Sequence, residues 1–164
     1  MTEPGSGTQT IDTWSDGYQA WRALLQTTEH ALWVLDHDLS GLHLDRADGP
    51  DFLLSCLRRL APGRIRIMVR DETPLLMRMP RTRQHLVDYG HIAEIRKIAM
   101  HHASSLQQSI VLSDDRHVLL RPRFDAPRAF LRIDDPADSG RHQPMIQDLW
   151  DAATHISLGT VLGL

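Results

Sequence analysis

The chain has 164 residues, a mass of 18.7 kDa, 41% hydrophobic and 24% charged residues, and a formal net charge of −3. That is long enough for one domain with its own core and too apolar for a disordered chain. No apolar run approaches the roughly 18 residues that span a bilayer, and a single cysteine, Cys56, excludes an intramolecular disulfide. The opening stretch "MTEPGSGTQTIDTWSD" lacks the basic-then-apolar order of a signal peptide. Residues 1–16 read as a flexible leader in which Trp14 is available to dock, and the chain is expected to be cytoplasmic.

Asp16 can cap a helix that starts near Tyr18. Tyr18, Trp21, Leu24, Leu25 and Thr28 then fall on one helical stripe. "ALWVLDHD" reads as a buried strand ending near Asp36. "GPDFLLSCLRRLAPG" is the next helix, with Leu53, Leu54, Leu57 and Leu60 as its stripe and Pro62-Gly63 as its stop. Cys56 sits among these leucines as a packed thiol. "RIRIMVRD" alternates Ile65, Ile67 and Val69 with Arg64, Arg66 and Arg70, as a strand does. Thr73-Pro74 opens another helix, Pro80 splits it and Gly90 ends it. "IAEIRKI" is a third strand.

The pattern changes beyond residue 100. "SIVLSD" and "HVLLRP" are strands joined by a very short turn, which predicts a hairpin. "RAFLRIDD" is an edge or half-buried strand, and "PMIQDLWDAA" is a closing helix followed by an apolar tail, "HISLGTVLGL". Helix–strand alternation over the first hundred residues predicts parallel strands with right-handed crossovers. The fold class is therefore α/β: a mixed, largely parallel sheet flanked by helices, with a C-terminal hairpin and helix.

Charge is unevenly spread. Residues 1–57 carry −7, residues 58–98 carry +6 and residues 99–164 carry −2. The basic middle offers either an anion-binding face, nucleic acid included, or internal charge matching. The chain has no phosphate-cradling G-x-x-x-x-G-K-[ST], no G-x-G-x-x-G after the first long strand and no G-x-S-x-G elbow. "DHD" at Asp36 to Asp38 and His101-His102 carry metal-donor atoms. Adjacent histidines on regular structure seldom aim at one ion, so neither a metal nor a cofactor is expected.

The stretch "QQSIVLSDDRHVLLR", from Gln107 to Arg121, carries a resemblance to the phospholipase D-like superfamily. In that family a strand bears H-x-K-x-x-x-x-D: the histidine attacks phosphorus, the lysine holds phosphate oxygens and the aspartate supports them. Here Asp114 stands at the aspartate place, Gln107 at the histidine place and Ser109 at the lysine place. Arg121-Pro122 stand where the family has glycine and serine. The order of elements also matches, and the resemblance covers roughly residues 18 to 155. It is nearest to a bacterial subgroup of single-half members with degenerate motifs. It implies a phospholipase D-like sandwich over residues 17–164 as a single domain.

An amide has no basic lone pair with which to attack phosphorus, so the family's hydrolysis is not expected. The resemblance then implies a non-catalytic module that binds an anionic ligand, such as a phosphate-containing one, or a protein partner, and that pairs as a homodimer. In parallel α/β sheets ligands lie beyond the carboxyl ends of the strands. Asp36, His37, Arg70, His101, His102, Gln107, Asp114 and Arg121 are expected to converge there, with Arg121 and Arg123 restoring the lysine's charge. Two alternatives stand beside this: a hydrolase or phosphodiesterase using a histidine of that crevice, and nucleic-acid binding through residues 58–98. No membrane partner is expected.

Overall fold

The computed structural model describes residues 7–46 and 48–159. The chain runs through β1 (Thr8–Ile11), α1 (Trp14–Thr27), β2 (Leu32–Asp36), α2 (Gly49–Arg59), β3 (Ile65–Val69), α3 (Thr73–Arg78) and α4 (Pro80–Asp88). It continues through β4 (Ala93–Lys97), α5 (Met100–Ala103), β5 (Ser109–Ser113), β6 (His117–Arg121), β7 (Ala129–Arg132), α6 (Pro136–Ala152) and β8 (Thr154–His155). The strands form one sheet in the order β1-β7-β6-β5-β2-β3-β4-β8.

The alternating first half produces the parallel trio β2-β3-β4, with Leu32 opposite Ile65 and Ile65 opposite Ala93. The other pairings are antiparallel, β5 lying against β2 and the hairpin partner β6 beyond it. The sheet is thus mixed and flanked by helices, as expected. Its balance is corrected, because five of its seven pairings are antiparallel rather than most being parallel. Short connections after residue 108 can only reverse the chain, whereas the parallel pairs need helical crossovers.

Strand periodicity sends side chains to two faces. Leu32, Val34, Ile65, Ile67, Val111 and Leu119 face one core, covered by α1 and α2 through Trp21, Leu25, Leu53 and Leu57. Trp33, Leu35, Met68, Ile110 and Leu112 face the other, covered by Ile146, Leu149 and Trp150 of α6. Both faces of the central strands are dry, which explains why they read as continuous apolar runs. Pro80 separates α3 from α4, because a proline nitrogen cannot donate to the preceding turn.

Two local expectations are corrected, and the turn of the expected hairpin is located. Residues 8–11, expected within a flexible leader, form β1 against β7, with Thr8 opposite Arg132 and Ile11 opposite Ala129. Burial of Ile11, 2% exposed, ties the segment down. The first long helix starts at Trp14, capped by Thr13, whose hydroxyl accepts from the Asp16 N–H at 3.0 Å; Asp16 is inside the helix rather than its cap. The hairpin turn is centred on Asp114 and Asp115, both at φ 55°, and closes with Arg116 N donating to Ser113 O at 3.1 Å. Two successive positive φ values make it a type I′ turn, whose twist suits adjoining strands. Of the apolar tail, Ile156 docks in the core and donates its N–H to Ile95 O; residues 160–164, like residues 1–6 of the leader, lie outside the described residues.

Candidate functional site

The sheet register builds a polar row inside an apolar core. Leu35 pairs with Ile110, and Ser109 pairs with Arg121. Asp36, Ser109 and Arg121 therefore stand side by side at the carboxyl end of β2, on the face toward α1. They are 8%, 7% and 6% exposed, so water reaches none of them freely. The Ser109 hydroxyl donates to Asp36 Oδ1, and the Leu39 N–H donates to Asp36 Oδ2 at 2.7 Å. Burial raises the Asp36 pKa, and these two hydrogen bonds oppose the rise.

Arg121 is in a different position. Its guanidinium lies 4.6 Å over the Trp14 ring and feels the Asp36 charge. Burial lowers its pKa, with Asp36 acting the other way. Its buried Nε has no hydrogen-bond partner, and the guanidinium makes no hydrogen bond to any described residue. Two glycines make room for it. A Cβ on Gly17 would meet Arg121 Nη2 at 2.5 Å, and one on Gly41 would meet Nη1 at 3.7 Å.

Above this row opens a cavity of about 700 Å³. Trp14 and Ser15, at the start of α1, form one wall. The loop after β2 forms a second, through His37, Asp38, Gly41, His43 and Arg46. Phe124 and Asp125, in the loop after β6, form the third. His37 stacks on Phe124 with ring centroids 4.0 Å apart, and His43 stacks on Tyr18 at 4.1 Å. Burial, then Arg46, lowers the His43 pKa. The chemistry on offer is an unfilled guanidinium, three aspartates and aromatic faces. Among the described residues no group of three His, Cys, Asp or Glu side chains is arranged to hold a metal. Cys56 is fully buried away from this row, and burial pushes its thiol pKa up to about 11, which suits packing rather than attack.

Of the residues expected to converge, Asp36, His37 and Arg121 line the cavity. Arg70 is outside the lining, 5.4 Å over Phe124 and donating to Leu106 O. Gln107 is at the correct end of β5 but exposed; its carbonyl accepts from Phe124 N at 2.7 Å and its side chain is not part of the lining. His101 and His102 lie on α5, whose Ala103 packs toward the α6 face of the sheet, opposite to Arg121. Asp114 is at the far end of β5, five residues from Ser109 and so about 16 Å away. There it accepts from the backbone N–H groups of Glu29, His30 and Ala31. Arg123 points outward and pairs with Asp125 at 3.3 Å. Phe124, His43 and Asp125 had no sequence signal; only their loops' placement brings them in.

A family model described as "Domain of unknown function (DUF7931)" matches residues 14–158. The chain belongs to this family. The match of this DUF7931 member starts at Trp14 and takes in the whole polar row. No curated protein matches the chain. Among solved structures it is similar to Nuc from Salmonella typhimurium, a phospholipase D family member, with a TM-score of 0.64 and 8% identity over 92% of this chain and 99% of that one. NucT from Helicobacter pylori gives a TM-score of 0.64 at 10% identity, over 92% and 99%. TrmBL2, an archaeal chromatin protein whose structure shows a mode of DNA binding, gives 0.67 at 13% identity over 95% of this chain. The DUF7931 chain spans only 56% of TrmBL2. At these identities the shared property is the fold, which is phospholipase D-like.

Proposed function

We propose that this DUF7931 protein is a non-hydrolytic binding module for a small anionic ligand, seated on Arg121. One observation carries the reading: Arg121, a residue 6% exposed on the wall of a cavity of about 700 Å³, has a buried Nε without a partner and a guanidinium that donates to no described residue. A buried charged donor left unfilled is costly. A phosphate or carboxylate would fill it with two parallel charge-assisted bonds. The Asp36 carboxylate beside it is already engaged by Ser109 and Leu39 and does not serve as that partner.

The absence of hydrolysis follows from side-chain chemistry. Gln107, at the place of the family's nucleophilic histidine, lacks a basic ring nitrogen. Ser109, at the lysine place, is neutral and donates to Asp36. Arg121 brings the positive charge back from the neighbouring strand, without a nucleophile. Pairing of two copies across the cavity mouth is part of the same proposal, since the family resemblance implies paired halves and Trp14 at the mouth is 39% exposed.

Calorimetric titration with ethyl phosphate tests the reading. Wild-type protein should bind it, and Arg121→Met should weaken binding by at least about tenfold. Gly17→Ala should also weaken it, because the new methyl displaces Nη2, although alanine raises helix propensity. Equal affinity in Arg121→Met would overturn the anion site. Turnover of bis(p-nitrophenyl) phosphate that disappears with His37→Ala would replace it with the histidine-dependent hydrolase.

A further inference from the structure

An anion alone does not account for the rest of the cavity. Asp36, Asp38 and Asp125 line it against Arg46 and Arg121, so its acids outnumber its arginines. Like charges facing a ligand across a binding surface weigh against it. Asp38 is half-buried on the wall. Its Oδ1 accepts from Ser40 N at 3.0 Å and from the Ser40 hydroxyl at 2.6 Å, and its Oδ2 makes no hydrogen bond to a described residue. Asp125, also on the wall, is already matched: its Oδ1 accepts from Arg123 Nε and its Oδ2 from Arg123 Nη2, each at 3.3 Å. The Phe124 ring of the lining is covered: His37 stacks on it and the Arg70 guanidinium lies 5.4 Å over it. A half-buried carboxylate with a free oxygen on a cavity wall can hold an ammonium by Coulomb attraction.

We infer that the ligand is a zwitterion, with its acidic group on Arg121 and an ammonium group held by Asp38. The inference rests on the anion reading of Arg121 and adds the second half of the ligand. It explains why an anion site keeps acids on its wall, and why the cavity is far larger than one phosphate. Arg46, near His43, is the second arginine of the lining.

Matched probes test it: 2-aminoethyl phosphate and ethyl phosphate, titrated against the full chain by calorimetry. The ammonium-bearing probe should bind at least about tenfold tighter. In Asp38→Asn, which keeps a carbonyl oxygen for Ser40, that gap should fall below about threefold. Ethyl phosphate should gain affinity there because a like charge is gone. Ethyl phosphate binding as well as its amino analogue to the unaltered protein would overturn the zwitterion and leave the Arg121 site standing. Binding of neither probe, or binding indifferent to Arg121→Met, would remove both. The comparison on unaltered protein decides even if the variant folds poorly.

Discussion

Arg121 and Asp114 show how one hairpin supplies two unrelated residues. Asp114 accepts the Glu29, His30 and Ala31 N–H groups at 2.7 to 3.2 Å, fastening the turn between α1 and β2 to the hairpin tip. Burial by itself would raise its pKa; the three backbone hydrogen bonds outweigh that and the pKa is depressed. A carboxyl whose folded pKa is depressed adds stability that is complete above its unfolded value and is lost as pH falls through the folded one. Asp114→Ala should therefore cost about 1–2 kcal/mol at neutral pH, water replacing part of the lost bonding. The deficit should shrink at pH well below the ordinary 3.8 of an aspartate. Urea titrations of both proteins at neutral and acid pH measure this; a deficit independent of pH would contradict the charge-assisted role.

The loop from β2 to α2 is the element on which the cavity depends most. It buries Leu39, Leu42 and Leu44, holds Leu39 and His43 at positive φ, and presents His37, Asp38, Gly41 and His43 to the cavity. The start of α2 pins it from below: a Cβ on Gly49 would fall inside the carbonyl of His43. Backbone cannot yield as a side-chain end can. Gly49→Ala should therefore cost about 1–3 kcal/mol and weaken ligand binding as the loop shifts. A Cβ added at Gly140, in α6, would meet nothing within 4 Å, so Gly140→Ala should raise stability by about 0.5–1 kcal/mol. The two glycines thus predict opposite signs for one substitution; thermal melts of both read them, and the same sign in both would refute the packing argument.

At the scale of the whole molecule, the charge segregation along the chain closes on itself. Arg59 donates to Leu25 O and Thr28 O, Arg83 to Leu158 O, and Arg96 to Trp150 O. Arg81 pairs with Asp51 at 2.5 Å and Lys97 with Glu72 at 3.0 Å. Arg66 lies over Trp33 and Trp150. These members of the basic middle segment tie helices and sheet together. No helix among the described residues is long and apolar enough to cross a membrane. The proposed pairing across the cavity mouth predicts a mass twice 18.7 kDa by sedimentation equilibrium, falling to one chain in Trp14→Glu. A wild-type monomer at micromolar concentration would exclude it.

The amino-acid order by itself determined the elements: the three apolar strands and their helices, the proline break at Pro80, the hairpin and the final helix. It also placed Asp36, His37 and Arg121 at strand ends, where ligands of such sheets collect. Those are local matters, set by periodicity, caps and turn chemistry within a dozen residues. Only tertiary structure decided that Arg121 stands beside Ser109 and Asp36, a pair 73 positions apart, and that Trp14, Gly17 and Phe124 close around it. The same is true of edge strand β1, of Asp114 at the opposite end of the sheet, and of α5, which carries His101 and His102 and packs Ala103 toward the α6 face. Strand register and the alternation of faces fix these neighbours, and both arise from long-range pairing that no short stretch of chain encodes.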